Sequence, residues 1–379
     1  MGSRVSKRTA SRESIFVEQL FSGVSTFDNY VGDWDTSKLD SNYGSIFQSA
    51  TAFHEKYECV DSNSYSVDPA SCKTVRTSWM APQPPPPPSP PPPLDPLTDS
   101  LLSAAITYCL QIDKEYGICP NSEHGQIADW DVSGVTNFNG AFYGRSSFNG
   151  DISKWDVSSA TSMSEMFMYA SRFDQDIGNW TTASVTYMNN LFLGCGAFKQ
   201  DITRWDTSSV EDMTSMFYSC SNFNHDISKF DVSKVKSFSD MFYNAVKFNN
   251  NNQPLDSSWD TSQVTTMQQM FQQASAFNQP VGRWNVARVK TMYLMFGSAS
   301  MFNQNISKWN VSSVANMNNM FEGAEKFNNY VGEWNTAQLT AYGGIFHQAP
   351  AFQAKYECVN SDYYSVNPAT CKTDRKSVV

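Results

Sequence analysis

Charge is scarce in this 379-residue sequence: Lys, Arg, Asp and Glu together make up 17%, the net charge is -10, and no internal stretch is strongly basic. Nucleic-acid binding needs a positive footprint that displaces counterions, so that class of partner is excluded. Apolar runs of 18 or more residues are lacking too, so no transmembrane helix is expected. Histidines number only four (His54, His124, His225 and His347). They share no repeat position, and no nucleophile, base or metal-ligand constellation can be assembled; neither an enzyme nor a cofactor nor a metal is expected. The opening MGSRVSKRTASRES has no apolar h-region and is not a secretory signal as written. It fits a myristoylation pattern at Gly2 and Ser6, followed by Lys7, Arg8 and Arg12. The simpler expectation is a chain that begins part-way through a longer gene product.

What the sequence does have is aromatics, at 14%, and they are periodic. Trp130, Trp155, Trp180, Trp205 and Phe230 fall 25 residues apart; four extra residues within 249–258 intervene, and Trp259, Trp284, Trp309 and Trp334 resume the interval. Counting from each anchor, a Phe stands at offset 12 (Phe142 to Phe346) and another at offset 18 (Phe148 to Phe352) in all nine units. Ile or Val stands at offset -3 (Ile152, Ile177, Ile202, Ile227, Val281, Ile306, Val331), and Val at offset 5 in most units. Met or another apolar residue fills offsets 8 and 11, and a small residue fills offset 15 (Ala170, Cys195, Cys220, Ala245, Ala274, Ala299, Ala324, Ala349).

A 25-residue unit with so few apolar groups cannot close a core alone, but stacked neighbours can. Each buried large apolar side chain contributes about 1.5–3 kcal/mol, against a backbone ordering cost of about 1–2 kcal/mol per residue. The unit is too short for two full helices. The expected fold is a right-handed repeat solenoid, leucine-rich-repeat-like. Each rung would carry short strands around the anchor and the Val-Thr-x-Met stretch, then a short helical or 3₁₀ turn at Met-Phe-x-x-Ala. At strand spacing, nine rungs would span about 43 Å.

The unit Trp205-Asp206-Thr207-Ser208-Ser209-Val210, with Met213, Met216, Phe217, Cys220, Phe223, Asp226 and Ile227, resembles the BspA-like leucine-rich-repeat surface proteins. More narrowly it is similar to the W-D-x-S-x-V-x-x-M-x-x-M-F repeat of mycoplasma-type surface lipoproteins and of many algal and protist proteins. The resemblance covers about 126–352 and again about 14–53. It implies a surface or adhesion protein and brings no catalytic residues with it.

Residues 21–76 duplicate 321–375: KYECVDSNSYSVDPASCKT returns as KYECVNSDYYSVNPATCKT. The expected organisation is therefore the end of a first array with its cap (1–78), a proline-rich linker (79–98), an N-terminal cap (99–125), a nine-unit array (126–352) and a C-terminal cap (353–379). The first array shows no N-terminal cap, which again suggests further sequence upstream. The linker holds Pro82, Pro84–Pro88, Pro90–Pro93 and Pro96; as polyproline II, fifteen such residues span about 46 Å. A spacer is favoured over a docking motif for SH3-like domains, because the run joins two folded copies.

Six cysteines pair by position in the caps, giving expected disulfides Cys59–Cys72, Cys109–Cys119 and Cys358–Cys371 and an oxidising compartment. Reduced or zinc-bound cysteines are the alternative, but no Cys-x-x-Cys or nearby His pair is present. Cys195 and Cys220, one rung apart, are expected as buried thiols rather than a bridge. The Trp column (Trp130, Trp155, Trp180, Trp205, Trp259, Trp284, Trp309, Trp334) is expected as a core ladder rather than a sugar-stacking surface. Asp151, Asp176, Asp201 and Asp226 form a column that calcium could bridge and a solvated turn explains more simply. At offset 1, Asp131, Asp156, Asp206, Asp231 and Asp260 give way to Asn285, Asn310 and Asn335, which fits a side-chain bond to a turn backbone. Asn179, Asn305 and Asn310 stand in glycosylation sequons. Offsets 6, 7, 9 and 10 vary freely (Glu211, Asp212, Lys236, Lys290 and Tyr293 among them), and a variable stripe on a constant scaffold is how extended-surface binders work. Drift at solvated positions accounts for it equally well. The function expected is an extracellular or cell-surface adhesion module that binds a protein or glycan; the alternative is a purely structural wall or matrix component.

Overall fold

Within each unit of the array the polypeptide follows one hydrogen-bonding programme, and it is neither strand nor helix. The computed structural model describes residues 57–59, 72–75, 96–359 and 364–372, the first two segments by backbone alone. The chain divides into two units, Met1–Pro93 and Leu94–Val379, at a point inside the linker expected at 79–98. In the first unit, strand Tyr57–Cys59 pairs antiparallel with Cys72–Val75 and sets Cys59 opposite Cys72. The side chains of that expected disulfide, the first array, most of the linker and the myristoylation pattern at Gly2 and Ser6 lie outside the described residues.

In the second unit, the rung anchored at Trp155 shows the programme. The N–H groups of Met163, Glu165, Phe167 and Tyr169 donate to the carbonyls of Tyr187, Asn189, Leu191 and Leu193 in the next rung. The intervening residues turn inside their own rung, Met166 to Met163, Met168 to Glu165 and Ala170 to Phe167. Such alternation needs left-handed residues, and offsets 10 and 14 have positive φ in all nine rungs, from Gly140 (62°) and Gly144 (68°) to Gly344 (66°) and Gln348 (54°). A left-handed residue interrupts both a pleated strand and a helix. The short strands expected along each rung are therefore reduced to isolated parallel bridges, 137–162–187–212 and 237–266–291–316–341. At the expected helical or 3₁₀ turn the chain makes successive bonds from residue i+3 to residue i, interrupted by the left-handed residues.

Side chains pointing inward form continuous files. Successive offset-12 rings lie 5.5–5.8 Å apart, from Phe142–Phe167 to Phe321–Phe346. Successive offset-18 rings lie 5.9–6.1 Å apart, and within a rung the two rings stack at 3.8–4.2 Å. Ring separations exceed the strand spacing of about 4.8 Å assumed from the sequence. The Trp column runs beside them at 3–5% exposure. From Trp155 onward each indole N–H donates to a carbonyl of the preceding rung, as in Trp155 to Ile127, Trp180 to Ile152, Trp205 to Ile177 and Trp309 to Val281. Burial and a fixed polar partner together hold the ring in one orientation.

The insertion carries a left-handed 3₁₀ turn at Asn250–Asn252, with φ of 49°, 48° and 61°. Asn250 is fully buried; its Oδ1 accepts from the Ile227 N–H and its Nδ2 donates to the Gln253 carbonyl. The register then resumes, with Trp259 donating to the Ile227 carbonyl. Leu255 supplies the buried aliphatic residue from offset -4 instead of -3, and its carbonyl receives the Trp284 indole.

Both ends are closed. At the start, helix Asp99–Ile112 buries Leu102, Ile106, Cys109 and Leu110. The Asp99 carboxylate accepts the N–H groups of Thr136 and Asn137 and the Thr136 hydroxyl, acting as the carbonyls of a missing rung. At the far end, helix Pro350–Lys355 buries Phe352 against Phe346, and antiparallel bridges Gly343–Ser365 and Glu357–Lys372 cover the last rung. Disulfides Cys109–Cys119 and Cys358–Cys371 fasten the two closures.

Candidate functional site

The variable offsets are not equally free. Offset 7 caps its own turn: Asn137, Asp212 and Asn316 accept from the N–H two residues on through Oδ1, and Ser237 and Thr291 do so through their hydroxyls. Offset 10 is held by its left-handed φ. Offset 9 is half-buried in most rungs, Tyr293 included. Offset 6 makes no side-chain bond within its own turn, although the Thr161, Thr265 and Thr340 hydroxyls donate to carbonyls of the preceding rung. It presents Thr136, Thr161, Thr186, Glu211, Lys236, Thr265, Lys290, Ala315 and Thr340 in file, while their backbones pair rung to rung (Glu211 to Thr186, Lys236 to Glu211, Lys290 to Thr265). Of the five residues singled out in the sequence, Glu211, Lys236 and Lys290 share this row. Glu211 and Lys236 form an ion pair at 2.5 Å, and the bond holds the Glu211 carboxyl below its ordinary range. Asp212 and Tyr293 sit in the adjoining rows.

A second surface feature was missed in the sequence because it does not keep one offset. Tyr143 and Tyr169, about half exposed, meet edge to face at 6.1 Å. The Tyr169 ring lies against Gly194, where a Cβ would come within 2.7 Å of it, and Tyr218 stacks on Tyr243 at 4.4 Å two rungs further on. Tyr187, also half exposed, belongs to the offset-7 row.

Two more columns tie successive rungs together. At offset 19, Asn149, Asp174, Asn224, Asn249, Asn278 and Asn303 each offer a side-chain oxygen to backbone in the next rung; the N–H groups of Asp174, Asn249, Asn278 and Asn328 are among those received. Neighbouring amides Gln175, Gln304 and Asn329 reach back to the same column. The repeated Phe-Asn pair at offsets 18 and 19 was the available signal. Offset 2 is a second missed column, where Thr182, Thr207 and Thr261 are buried and donate to the carbonyls of Asp206, Asp231 and Asn285.

The aspartate columns close turns. Asp131, Asp156, Asp206, Asp231, Asp260, Asn285, Asn310 and Asn335 all accept from the N–H two residues on. Asp151, Asp176, Asp201 and Asp226 do the same. Bonds from Ser153 and Ser158 hold the Asp151 and Asp156 carboxyls below the usual range, as do bonds from Thr203 and Ser208 for Asp201 and Asp206. Cys195 and Cys220 are buried free thiols that donate to the carbonyls of Phe167 and Phe192. Burial pushes both thiol pKa values far up. Asn179, Asn305 and Asn310 are exposed; Asn179 accepts from Arg204, and Asn305 accepts from the Ser307 N–H.

Among the described residues no helix is long and apolar enough to cross a membrane. No curated protein and no solved structure matches the chain. One family model does, over residues 12–68, 115–203, 175–257 and 251–358, which together span both sets of repeats and well over half of the sequence. On that match, which follows the repeats through the array just described, the chain belongs to the family described as Mycoplasma protein of unknown function, DUF285.

Proposed function

We propose that this chain is a recognition module of the cell surface or extracellular space, binding a protein or glycan along one side of a right-handed, leucine-rich-repeat-like solenoid of the BspA-like kind. One observation carries the reading: at offset 6 the backbone bonds repeat from rung to rung while the side chain changes among Thr, Glu, Lys and Ala. Glu211, Lys236, Lys290 and Ala315 stand where other rungs use a threonine hydroxyl to bond the preceding rung. The stack thus tolerates loss of that bond, and the row can be altered for a ligand without unfolding the scaffold. The exposed Tyr143 and Tyr169 add rigid amphipathic rings, the residue type enriched at binding hot spots. An oxidising compartment is supported by the disulfides at both closures.

The test is glycan-array and pull-down binding by the full chain, compared with a variant carrying Lys236→Glu, Lys290→Glu, Tyr143→Ala and Tyr169→Ala. The expected result is a ligand retained by the parent and lost by the variant at an unchanged melting temperature. A ligand held equally by both overturns the assignment of the surface, and no retained ligand favours the purely structural role in wall or matrix.

A further inference from the structure

The Trp file ends at Trp130, which is 5% exposed beneath the N-terminal closure. Trp155 stacks on one side of Trp130 at 6.2 Å. Against Trp130 there opens a cleft of about 380 Å³, lined by Leu101, Ala105, Tyr108, Ser122, Glu123 and His124. That volume suits a small organic molecule. Helix Asp99–Ile112 presents a second apolar stripe here, at i, i+4 and i+7. Leu101 is 49% and Tyr108 52% exposed, in contrast to the buried stripe through Leu102 and Ile106.

The walls are preorganised. The Cys109–Cys119 disulfide ties the helix to the loop carrying Ser122–His124. The loop is closed by bonds from the Ser122 N–H to Cys119 and from the Gly125 N–H to Ser122. The Trp130 indole donates to the Gly125 carbonyl, which fixes its plane, and the His124 ring meets it edge-on at 6.3 Å. The chemistry of the lining is one-sided: three aromatic rings, aliphatic walls, and a single carboxylate, Glu123, with no Lys or Arg.

A neutral apolar molecule would leave the carboxylate unused, and an anion would meet it with repulsion. A cation clothed in alkyl groups satisfies both halves, since it packs its carbons on the rings, is attracted by their quadrupoles and faces the carboxylate. We propose that this cleft in the N-terminal closure binds a quaternary ammonium group of choline type. The site is independent of the offset-6 row, so its test stands apart from that of the recognition surface.

The experiment titrates the full chain with choline and, separately, with 3,3-dimethyl-1-butanol, its uncharged isostere, followed by calorimetry. Choline is expected to saturate one site and to bind about tenfold tighter than the isostere. Glu123→Gln and Tyr108→Ala, both at exposed positions, are each expected to weaken choline about tenfold while leaving the melting temperature in place. Cosedimentation with phosphatidylcholine vesicles tells a lipid-borne head group from a free one, and retention or release by the vesicles is compatible with the site. Equal binding of choline and isostere, choline binding unchanged in both variants, or no saturable binding of choline overturns the proposal.

Discussion

Adding one methyl group at two glycines that share an offset separates the conformational demand of the rung from the packing between rungs. Gly144 and Gly194 both sit at offset 14, with φ of 68° and 75°. At Gly144 a Cβ meets nothing within 4 Å, so Gly144→Ala carries only the left-handed penalty of about 1 kcal/mol, partly offset by the lower entropy of the unfolded chain, about 0.5–1 kcal/mol. At Gly194 the same Cβ would lie 2.7 Å from Cδ1 of Tyr169 and 3.2 Å from Cε1. The ring must then shift, adding an overpacking cost of about 1–3 kcal/mol. Gly194→Ala should therefore destabilise by roughly 1–3 kcal/mol more than Gly144→Ala. In a Tyr169→Ala background that excess should vanish, because nothing is left to displace. Urea titration read by native-state hydrogen exchange at the affected rungs is the appropriate assay, since a long array need not unfold in one step. Equal costs at the two glycines, or an excess that survives Tyr169→Ala, would refute the stacking of these rungs.

Other outcomes follow from the same geometry. At offset 19, Lys199 replaces the usual amide and offers no side-chain acceptor to the next rung. Lys199→Asn restores one; the Asp174 carboxylate, 15% exposed, loses its ion pair but keeps the bonds from the backbone N–H of residue 199 and from Gln200. Stability should therefore rise by about 0.5 kcal/mol in urea titration, and a fall would contradict the ladder. Phe217→Ala removes a fully buried ring stacked on Phe192, Phe223 and Phe242 and should cost about 3–5 kcal/mol, with exchange protection lost first in the rungs on either side. Asp151, Asp156, Asp201, Asp206 and Asp231 titrate below their unfolded values when folded. Their stabilisation is complete above the unfolded carboxylate value, about 3.9, and fades as pH falls through the lowered folded values. At Asp99 burial pushes the carboxyl up, but bonds from Asn137 and Thr136 outweigh it and hold the group low, so the N-terminal closure follows the same trend. Asn285, Asn310 and Asn335 do not titrate, so hydrogen exchange below pH ~4 should rise in rungs 155–230 before rungs 284–334; uniform loss would count against the turn assignment. Because burial raises both thiols, Cys195 and Cys220 should resist thiol reagents in the native state and react on unfolding.

The apolar files were legible because every rung makes the same demand at offsets -3, 12 and 18, and one aliphatic or aromatic answer recurs. The turn role of offset 1 was legible for a related reason: Asp231 and Asn285 share only a side-chain oxygen, and the bond uses nothing else. The left-handed offsets were not. Leu294, Gln273 and Tyr169 hold positive φ without being residues that favour it, since the bonds to the next rung impose the conformation. Pooled down the column the preference does emerge, in Gly140, Asn190, Asn319 and Gly344 at offset 10. Leu255 was hidden because the four-residue insertion moves the buried aliphatic by one place. The tyrosine patch was hidden because Tyr143, Tyr218 and Tyr243 stand at offset 13 while Tyr169 stands at offset 14.

The central claim is that residues 25 apart lie directly over one another. In the full chain, Ser162→Cys with Tyr187→Cys places two thiols on bridged neighbours, within the reach of about 4.4–6.8 Å between Cα atoms that a disulfide spans. Ser162→Cys with Asp212→Cys places them two rungs apart, at about 10 Å. Under mild oxidation, mass spectrometry should find the first pair cross-linked within one molecule and the second pair free. A free first pair, or a second pair that closes as readily, would contradict the stack.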